Sequence, residues 1–174
     1  HVVPVIRPRA IDDKFEMNEG GVGVINVMGN DLFNDTATER TLSLSDAAFP
    51  DLKQPQHGTI VIVGSGATAQ IQYTPNDSVL GTDFFGTDMF EYIIDDNYVN
   101  PDTEEPSKPD VGLVTVTVMN VNDAPTAVAD TASTSEEVSI LIDVLDNDLV
   151  GPGEEDVDSL KIQSVGGTSD GGSV

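Results

Sequence analysis

Two stretches of this sequence, VMGNDL at 27–32 and VLDNDL at 144–149, are nearly the same six residues placed 117 positions apart. At that offset, residues 10–33 align with residues 127–150 without a gap. The identities include Ala10/Ala127, Asp13/Asp130, Glu19/Glu136, Ile25/Ile142, Val27/Val144, Asn30/Asn147, Asp31/Asp148 and Leu32/Leu149. Internal repetition indicates an array of one structural unit. We therefore expect a unit of 117 residues, present once in full and once in part.

The repeat predicts the domain boundaries. Residues 1–122 should form one complete repeat, and residues 123–174 the N-terminal part of a second. The second copy lacks the later strands, so its apolar residues have nothing of their own to pack against. Because exposed strand edges readily pair with other chains, we expect this half-repeat to form a homodimer by swapping or strand pairing, or to be ordered by crystal contacts. With no start Met or signal-peptide core, the chain is expected to be a fragment of a longer protein.

Short apolar segments predict strands at 24–27, 58–63, 69–73, 89–94 and 113–121. Alternation in two of them defines a buried face. These inward positions are Phe90, Tyr92 and Ile94 in one segment, and Val114, Val116 and Val118 in the other. No segment has a helical period. About seven strands per repeat at this spacing predict an all-β fold, an antiparallel Greek-key β-sandwich.

The charge balance narrows the range of partners and sites that the chain can have. The 174 residues carry 31 Asp and Glu against 7 Lys and Arg, a formal net charge of −24. Such a surface disfavours nucleic acid and anionic membranes, which bind basic patches, and no apolar run approaches the ~20 residues of a membrane span. The absence of cysteine removes disulfides and thiolate metal sites. The ligand that best complements these carboxylates is a hard cation bound by oxygen atoms, with calcium favoured over magnesium.

Several motifs occur in a characteristic order: HGT at 57–59, YTPN at 73–76, GTDMFEYIIDD at 86–96 and VTVTVMNVNDAP at 114–125. This order resembles the cadherin-like or bacterial Ig-like tandem repeats of large bacterial surface adhesins. The resemblance implies a calcium-stiffened structural or adhesive module without enzymatic activity. It also implies an extracellular or cell-surface location, with neighbouring repeats of the same chain as partners.

The resemblance also implies where calcium binds, because the segment NVNDAP at 120–125 is similar to the D-x-N-D-N-x-P linker of cadherin-like arrays. The implied junction ligands are Glu19, Asp83 (with Asp77 as a substitute), Asn122, Asp123, Asp146 and Asp148. The equivalent set at the other end of the first copy is Asp31, Asp95 and Asp96, which we expect to bind weakly or not at all. The alternative for any one of these acids is an ordinary turn residue bonded to its own backbone.

Other functions have less support. His57, the one internal histidine, is interpreted as structural, and a nucleophile–base constellation is poorly supplied. The alternative function is a carbohydrate- or protein-binding β-sandwich with structural calcium. Sugar binding would use aromatic platforms, for which the candidates are Phe84, Phe85 and Tyr98. We expect Phe84 and Phe85 instead to close one end of the core.

Overall fold

The structure is a computed structural model that describes residues 7–34, 39–76, 84–121, 124–150 and 160–167. The chain divides into two compact units. The first comprises residues 1–78 and 83–121, and the second comprises residues 79–82 and 122–174.

The first unit contains seven strands among its described residues. They are β1 (Asp13–Asn18), β2 (Gly23–Ile25), β3 (Thr41–Ser43), β4 (Gly58–Val63), β5 (Gln70–Pro75), β6 (Gly86–Asp95) and β7 (Asp110–Met119). Short 3-10 turns occupy Val27–Gly29 and Gly66–Thr68. The predicted strand at 24–27 is therefore wrong at its end, because the chain turns after Ile25 and both Val27 and Met28 enter the core from the 3-10 turn.

The strands form two sheets, ordered β1-β7-β6-β3 and β2-β5-β4. The predicted all-β, Ig-like sandwich is thus confirmed. One pair departs from the antiparallel prediction, since β1 runs parallel to β7 with Asp13 opposite Val114. A tight hairpin forces antiparallel pairing, but these two strands are the first and last of the unit, and no short turn connects them.

One core fills the space between the sheets. The predicted inward residues Phe90, Tyr92, Ile94, Val114 and Val116 are all fully buried, and Val118 is nearly so. The facing sheet contributes Ile25, Ile71 and Tyr73 to the same cluster. Strict alternation along β5 and β7 produces this pattern, because successive side chains of a strand point to opposite faces.

The second unit is described over residues 124–150 and 160–167. Within these ranges, its pairing is an isolated bridge between Thr126 and Leu149. Its apolar side chains are largely exposed, including Ile140, Ile142 and Ile162. Throughout the described part of the chain, no helix has the length and apolar character needed to cross a membrane.

Candidate functional site

Among the described residues of the first unit, one concentrated polar site surrounds the hydroxyl of Tyr92, on β6. This hydroxyl lies 3.1 Å from Asp13 Oδ2 and 3.1 Å from Asp31 Oδ1. The carbonyl oxygens of Ile11 and Val27 lie 3.3 Å and 3.4 Å from it. We call Tyr92, Asp13 and Asp31 the Tyr92 cluster. It joins β1, the turn after β2 and β6 at one end of the sandwich.

The Tyr92 hydroxyl lies between two carboxylates, each of which has one further donor: the side chain of Asn30 bonds to Asp13, and the backbone N–H of Ile11 bonds to Asp31. A phenol has one O–H proton to donate, so it satisfies one of the two carboxylates at a time. Burial raises the pKa of Asp13 to about 6, and the nearby Asp31 charge acts in the same direction. Burial likewise raises the pKa of Asp31, against the bond that its Oδ1 accepts from the backbone N–H of Ile11. The pKa of Tyr92 is also raised, first by burial and then by the two carboxylates.

A glycine makes room for the Tyr92 ring. Gly112 lies directly opposite Tyr92 on β7, and a Cβ atom there would come within 2.4 Å of the ring. Gly58 makes room for Tyr73 from a diagonal position on β4, since Gly58 lies opposite Pro75, and a Cβ atom there would come within 2.5 Å of the Tyr73 ring. Both tyrosines therefore lie flat across a neighbouring strand that has no side chain at that point, and their hydroxyls reach the ends of the sandwich.

The second tyrosine also bonds to a buried carboxylate. Asp88, 3% exposed, accepts hydrogen bonds from the backbone N–H groups of Gln56, His57 and Met89 and from the Tyr73 hydroxyl. Burial opposes ionisation of Asp88, but these four donors outweigh it and lower its pKa. Unlike Asp13, Asp88 is fully supplied with donors, and it fixes the segment that leads into β4.

The predicted ligands Asp95 and Asp96 belong to a different network from Asp31. Asp96, 1% exposed, accepts bonds from the backbone N–H groups of Asn34 and Tyr98 and from the hydroxyl of Ser107. Asp95 accepts from the N–H of Asn97 and lies 3.2 Å from the same hydroxyl. These contacts anchor the loop between β6 and β7 to the segment after β2.

Three of the predicted junction ligands, Asp83, Asn122 and Asp123, lie outside the described residues, as does the substitute Asp77. Glu19 is buried, and its Oε1 accepts a 2.6 Å bond from the backbone N–H of Val121. In the second unit Asp146 is exposed. Over the ranges that the structure describes, no three His, Cys, Asp or Glu side chains come together as a metal-binding group.

The repeated ND motif has the same local contacts in both copies. In the first copy, the backbone N–H of Ile11 donates a 2.7 Å bond to Asp31 Oδ1. In the second, the N–H of Val128 donates a 2.7 Å bond to Asp148 Oδ1. The bridge between Arg9 and Leu32 recurs as the bridge between Thr126 and Leu149. All four pairs of equivalent positions are 117 residues apart.

The aromatic residues that were considered as a sugar platform have separate surroundings. Phe84 packs against the core and stacks on His57, with the ring centroids 4.4 Å apart. Phe85 is 40% exposed, and Tyr98 is partly buried in the loop after β6. The prediction that both phenylalanines close the core therefore holds for Phe84 and is wrong for Phe85, because the Phe85 side chain faces solvent.

Sequence spacing could not predict the contacts between tyrosine and carboxylate side chains of β1 and β6. Asp13 and Tyr92, for example, are 79 residues apart. The available signal was the pair of tyrosines on buried strand faces, because a buried phenol needs a partner for its hydroxyl.

Comparison with known proteins gives one family. Residues 4–105 match the bacterial Ig domain family, a range that covers β1 to β6 and ends before β7. No curated protein matches the chain. The family match extends over more than half of the 174 residues and agrees with the two-sheet topology. The chain belongs to the bacterial Ig domain family.

Proposed function

We propose that this chain is a tandem structural module, stiffened by calcium, from an exported adhesive protein of the bacterial surface. Residues 1–122 would be one complete repeat and residues 123–174 the start of the next. Bacterial Ig domains are a non-catalytic type of module. The module would serve as spacer or adhesive segment, and its immediate partners would be the neighbouring repeats.

The observation that carries this proposal is the recurrence of local contacts. Asp31 bonds to the N–H of Ile11, and Asp148 bonds to the N–H of Val128, at the same 2.7 Å distance. Similar sequence alone can arise by chance in short segments. Recurrence of both the side-chain bond and the backbone bridge at one offset supports two copies of one unit. Serial copies of a small sandwich can produce a long protein from one repeated unit.

Calcium is proposed because the charge requires a counter-ion. With 31 acidic and 7 basic residues, the folded chain concentrates negative charge, and this repulsion opposes compaction. Calcium takes 6–8 oxygen ligands at flexible geometry. The bond that Asp148 makes to Val128 occupies one acceptor position of a carboxylate that has about four. Asp148 can therefore hold the backbone and still serve as a ligand.

The test is thermal unfolding of the whole chain in calcium, in magnesium and in chelator at equal ionic strength. At about 1 mM calcium and an extracellular-type Kd near ~10⁻⁴ M, a site contributes roughly 1–2 kcal/mol. We expect Tm to rise by about 3–6 °C in calcium, and much less in magnesium. Asp123→Ala and Asp146→Ala should each remove most of that rise.

The matched control is Asp46→Ala, which removes an exposed carboxylate that is not among the predicted ligands. Asp46→Ala should keep the full calcium response. Equal Tm values in calcium and chelator would reject calcium stiffening. A response of equal size in magnesium would show screening by divalent cations and not a specific site.

A further inference from the structure

Strand β4 is an edge strand that lacks the usual protection against pairing. Natural sheets blunt their edges with charged residues, proline, bulges or short strands. Three of the four edges follow this rule: β1 carries Asp13, Lys14 and Glu16, while β2 and β3 are three residues long. β4 is six residues, GTIVIV, without charge or proline, and in the described part of the chain it pairs with β5 alone.

The segments that build the β2-β5-β4 sheet are also free of charge. Residues 54–76 contain no Asp, Glu, Lys or Arg, and neither do residues 20–30, although 22% of the chain is charged. These two segments contain all of β2, β4 and β5. The outer face of this sheet carries a row formed by Val24, Gln72 and Val61 in register. Val24 and Val61 are 46% and 51% exposed.

We propose that β4 is a self-association surface, at which two copies of this chain pair their β4 strands antiparallel about a two-fold axis. The two three-stranded sheets would join into one sheet of six strands. A two-fold interface uses the same patch on both molecules. The occupant is therefore a second copy, and the interface needs no other surface of either molecule.

Charge favours a second copy at this place. Two molecules that each carry −24 repel wherever their acidic surfaces meet. The strands of the β2-β5-β4 sheet contain no carboxylate, so pairing of two copies at β4 brings together strands without negative charge. A basic partner would gain most by binding the acidic surfaces and would have no electrostatic reason to select β4.

The pattern of side chains selects one register. Residues directly opposite each other in an antiparallel pair lie on the same face, so inward residues must meet inward residues. With Val61 opposite its own copy, Thr59 meets Val63 on the outer face and Ile60 meets Ile62 on the inner face. The register centred on Ile60 would instead place Gly58 opposite Ile62, and this would lose apolar contact. The Val61 register is therefore preferred.

Sedimentation velocity on the whole chain, from about 1 µM to about 500 µM, tests the proposal. We expect a monomer–dimer equilibrium that strengthens with added sodium chloride, because salt screens the repulsion between copies. Val61→Lys would place two like charges opposite each other and should weaken the dimer by about tenfold or more. Val99→Lys, a substitution at an equally exposed valine outside this sheet, should leave the dimer unchanged.

Cross-linking tests the register independently, because the chain has no cysteine of its own. In the proposed dimer, the two Cβ atoms at position 61 are about 5 Å apart. Val61→Cys should therefore cross-link rapidly with a short bismaleimide. Val24→Cys is the control, because five strand spacings would separate the two copies of β2 by about 24 Å.

A monomer over the whole concentration range would overturn the proposal. So would a dimer that survives Val61→Lys and does not cross-link in the Val61→Cys variant, since association would then use another surface, such as the second unit. Far-ultraviolet circular dichroism would verify that Val61→Lys is folded. If it is not, Thr59→Lys, at another exposed position of β4, would replace it. None of these outcomes depends on calcium or on the repeat.

Discussion

At the scale of single residues, the first unit provides hydrogen-bond partners for its two buried tyrosine hydroxyls in two different ways. Tyr73 meets Asp88, which has three backbone donors besides the phenol, so the carboxylate stays ionised at low cost. Tyr92 offers its one proton to two carboxylates, each of which has only one other donor, Asn30 for Asp13 and the N–H of Ile11 for Asp31. The first arrangement favours a charged Asp88, and the second favours a protonated Asp13. The two ends of the sandwich should therefore respond to pH in opposite directions.

The Asp13 response gives a prediction. Burial raises the pKa of Asp13 from 3.8 to about 6, so the folded state binds this proton more tightly than the unfolded state. Its stabilising contribution is complete below pH ~4 and is lost as pH rises through about 6. The shift corresponds to at most about 3 kcal/mol, and solvent screening of this partly exposed group reduces it to about 1–2 kcal/mol. Asp13→Asn should remove this loss.

The measurement is urea unfolding at pH 4, 5, 6 and 7. We expect the difference in unfolding free energy between Asp13→Asn and the parent chain to shift in favour of the variant by about 1–2 kcal/mol from pH 4 to pH 7. Asp46→Asn removes an equal charge at an exposed position and serves as the control. An equal shift in both variants would mean that net charge, and not the Tyr92 cluster, sets the pH dependence.

At the scale of elements, Asp88 couples β6 to the start of β4. Asp88→Ala would leave the backbone N–H groups of Gln56 and His57 without their acceptor. The Tyr73 hydroxyl would keep only its 3.3 Å contact with the carbonyl oxygen of His57. Each buried polar group left unsatisfied costs about 1–3 kcal/mol, and solvent can reach part of this segment. We expect a loss of about 3 kcal/mol or more in unfolding free energy, measured by urea titration at pH 7.

The same titration of Asp46→Ala provides the reference, because Asp46 is exposed and accepts one local bond, from the N–H of Ala48. Asp46→Ala should cost less than about 1 kcal/mol. Should Asp88→Ala cost no more than Asp46→Ala, the segment before β4 would be held by packing alone.

Sequence periodicity predicted the strands that have a clear pattern of apolar residues. Strands β4 to β7 were found because each is long, and β7 alternates valine with threonine. β1 was missed although Phe15 and Met17 alternate with Lys14 and Glu16, because charges at the remaining positions hide its apolar face. β3 has three residues, too few for a period. Its place in the sheet depends on pairing with β6, which is distant in sequence.

The candidate site was less predictable than the fold. The resemblance to cadherin-like repeats implied Asp31 and Asp148 as calcium ligands, and the structure shows that both carboxylates accept bonds from the backbone. Their bond partners, Ile11 and Val128, have apolar side chains that carry no functional signal. A backbone N–H group does not depend on the residue type, so the sequence does not indicate which N–H will donate to a carboxylate. Contacts of this kind can be inferred only after the strands have been placed.

At the scale of the whole molecule, the net negative charge opposes folding. The described residues of the first unit bury one apolar cluster, whereas the chain carries −24 with only 7 basic residues to offset the acidic ones. Folding brings the carboxylates closer than they are in an extended chain. Two devices limit the effect: buried carboxylates receive donors, and the β2-β5-β4 sheet contains no charge. The remaining repulsion must be screened by ions.

Sodium chloride should therefore stabilise the fold without any specific site. Raising its concentration from 20 to 200 mM shortens the screening length from about 20 Å to about 7 Å, and we expect Tm to rise by a few degrees. Glu104→Lys with Glu105→Lys, at two exposed loop positions, changes the net charge from −24 to −20. Because self-repulsion scales with the square of the charge, the salt response should fall by about a third. A Tm that falls with salt would mean that attractive ion pairs outweigh repulsion, which would also remove the electrostatic reason for calcium. The same salt series sets the baseline above which a calcium-specific rise must be measured.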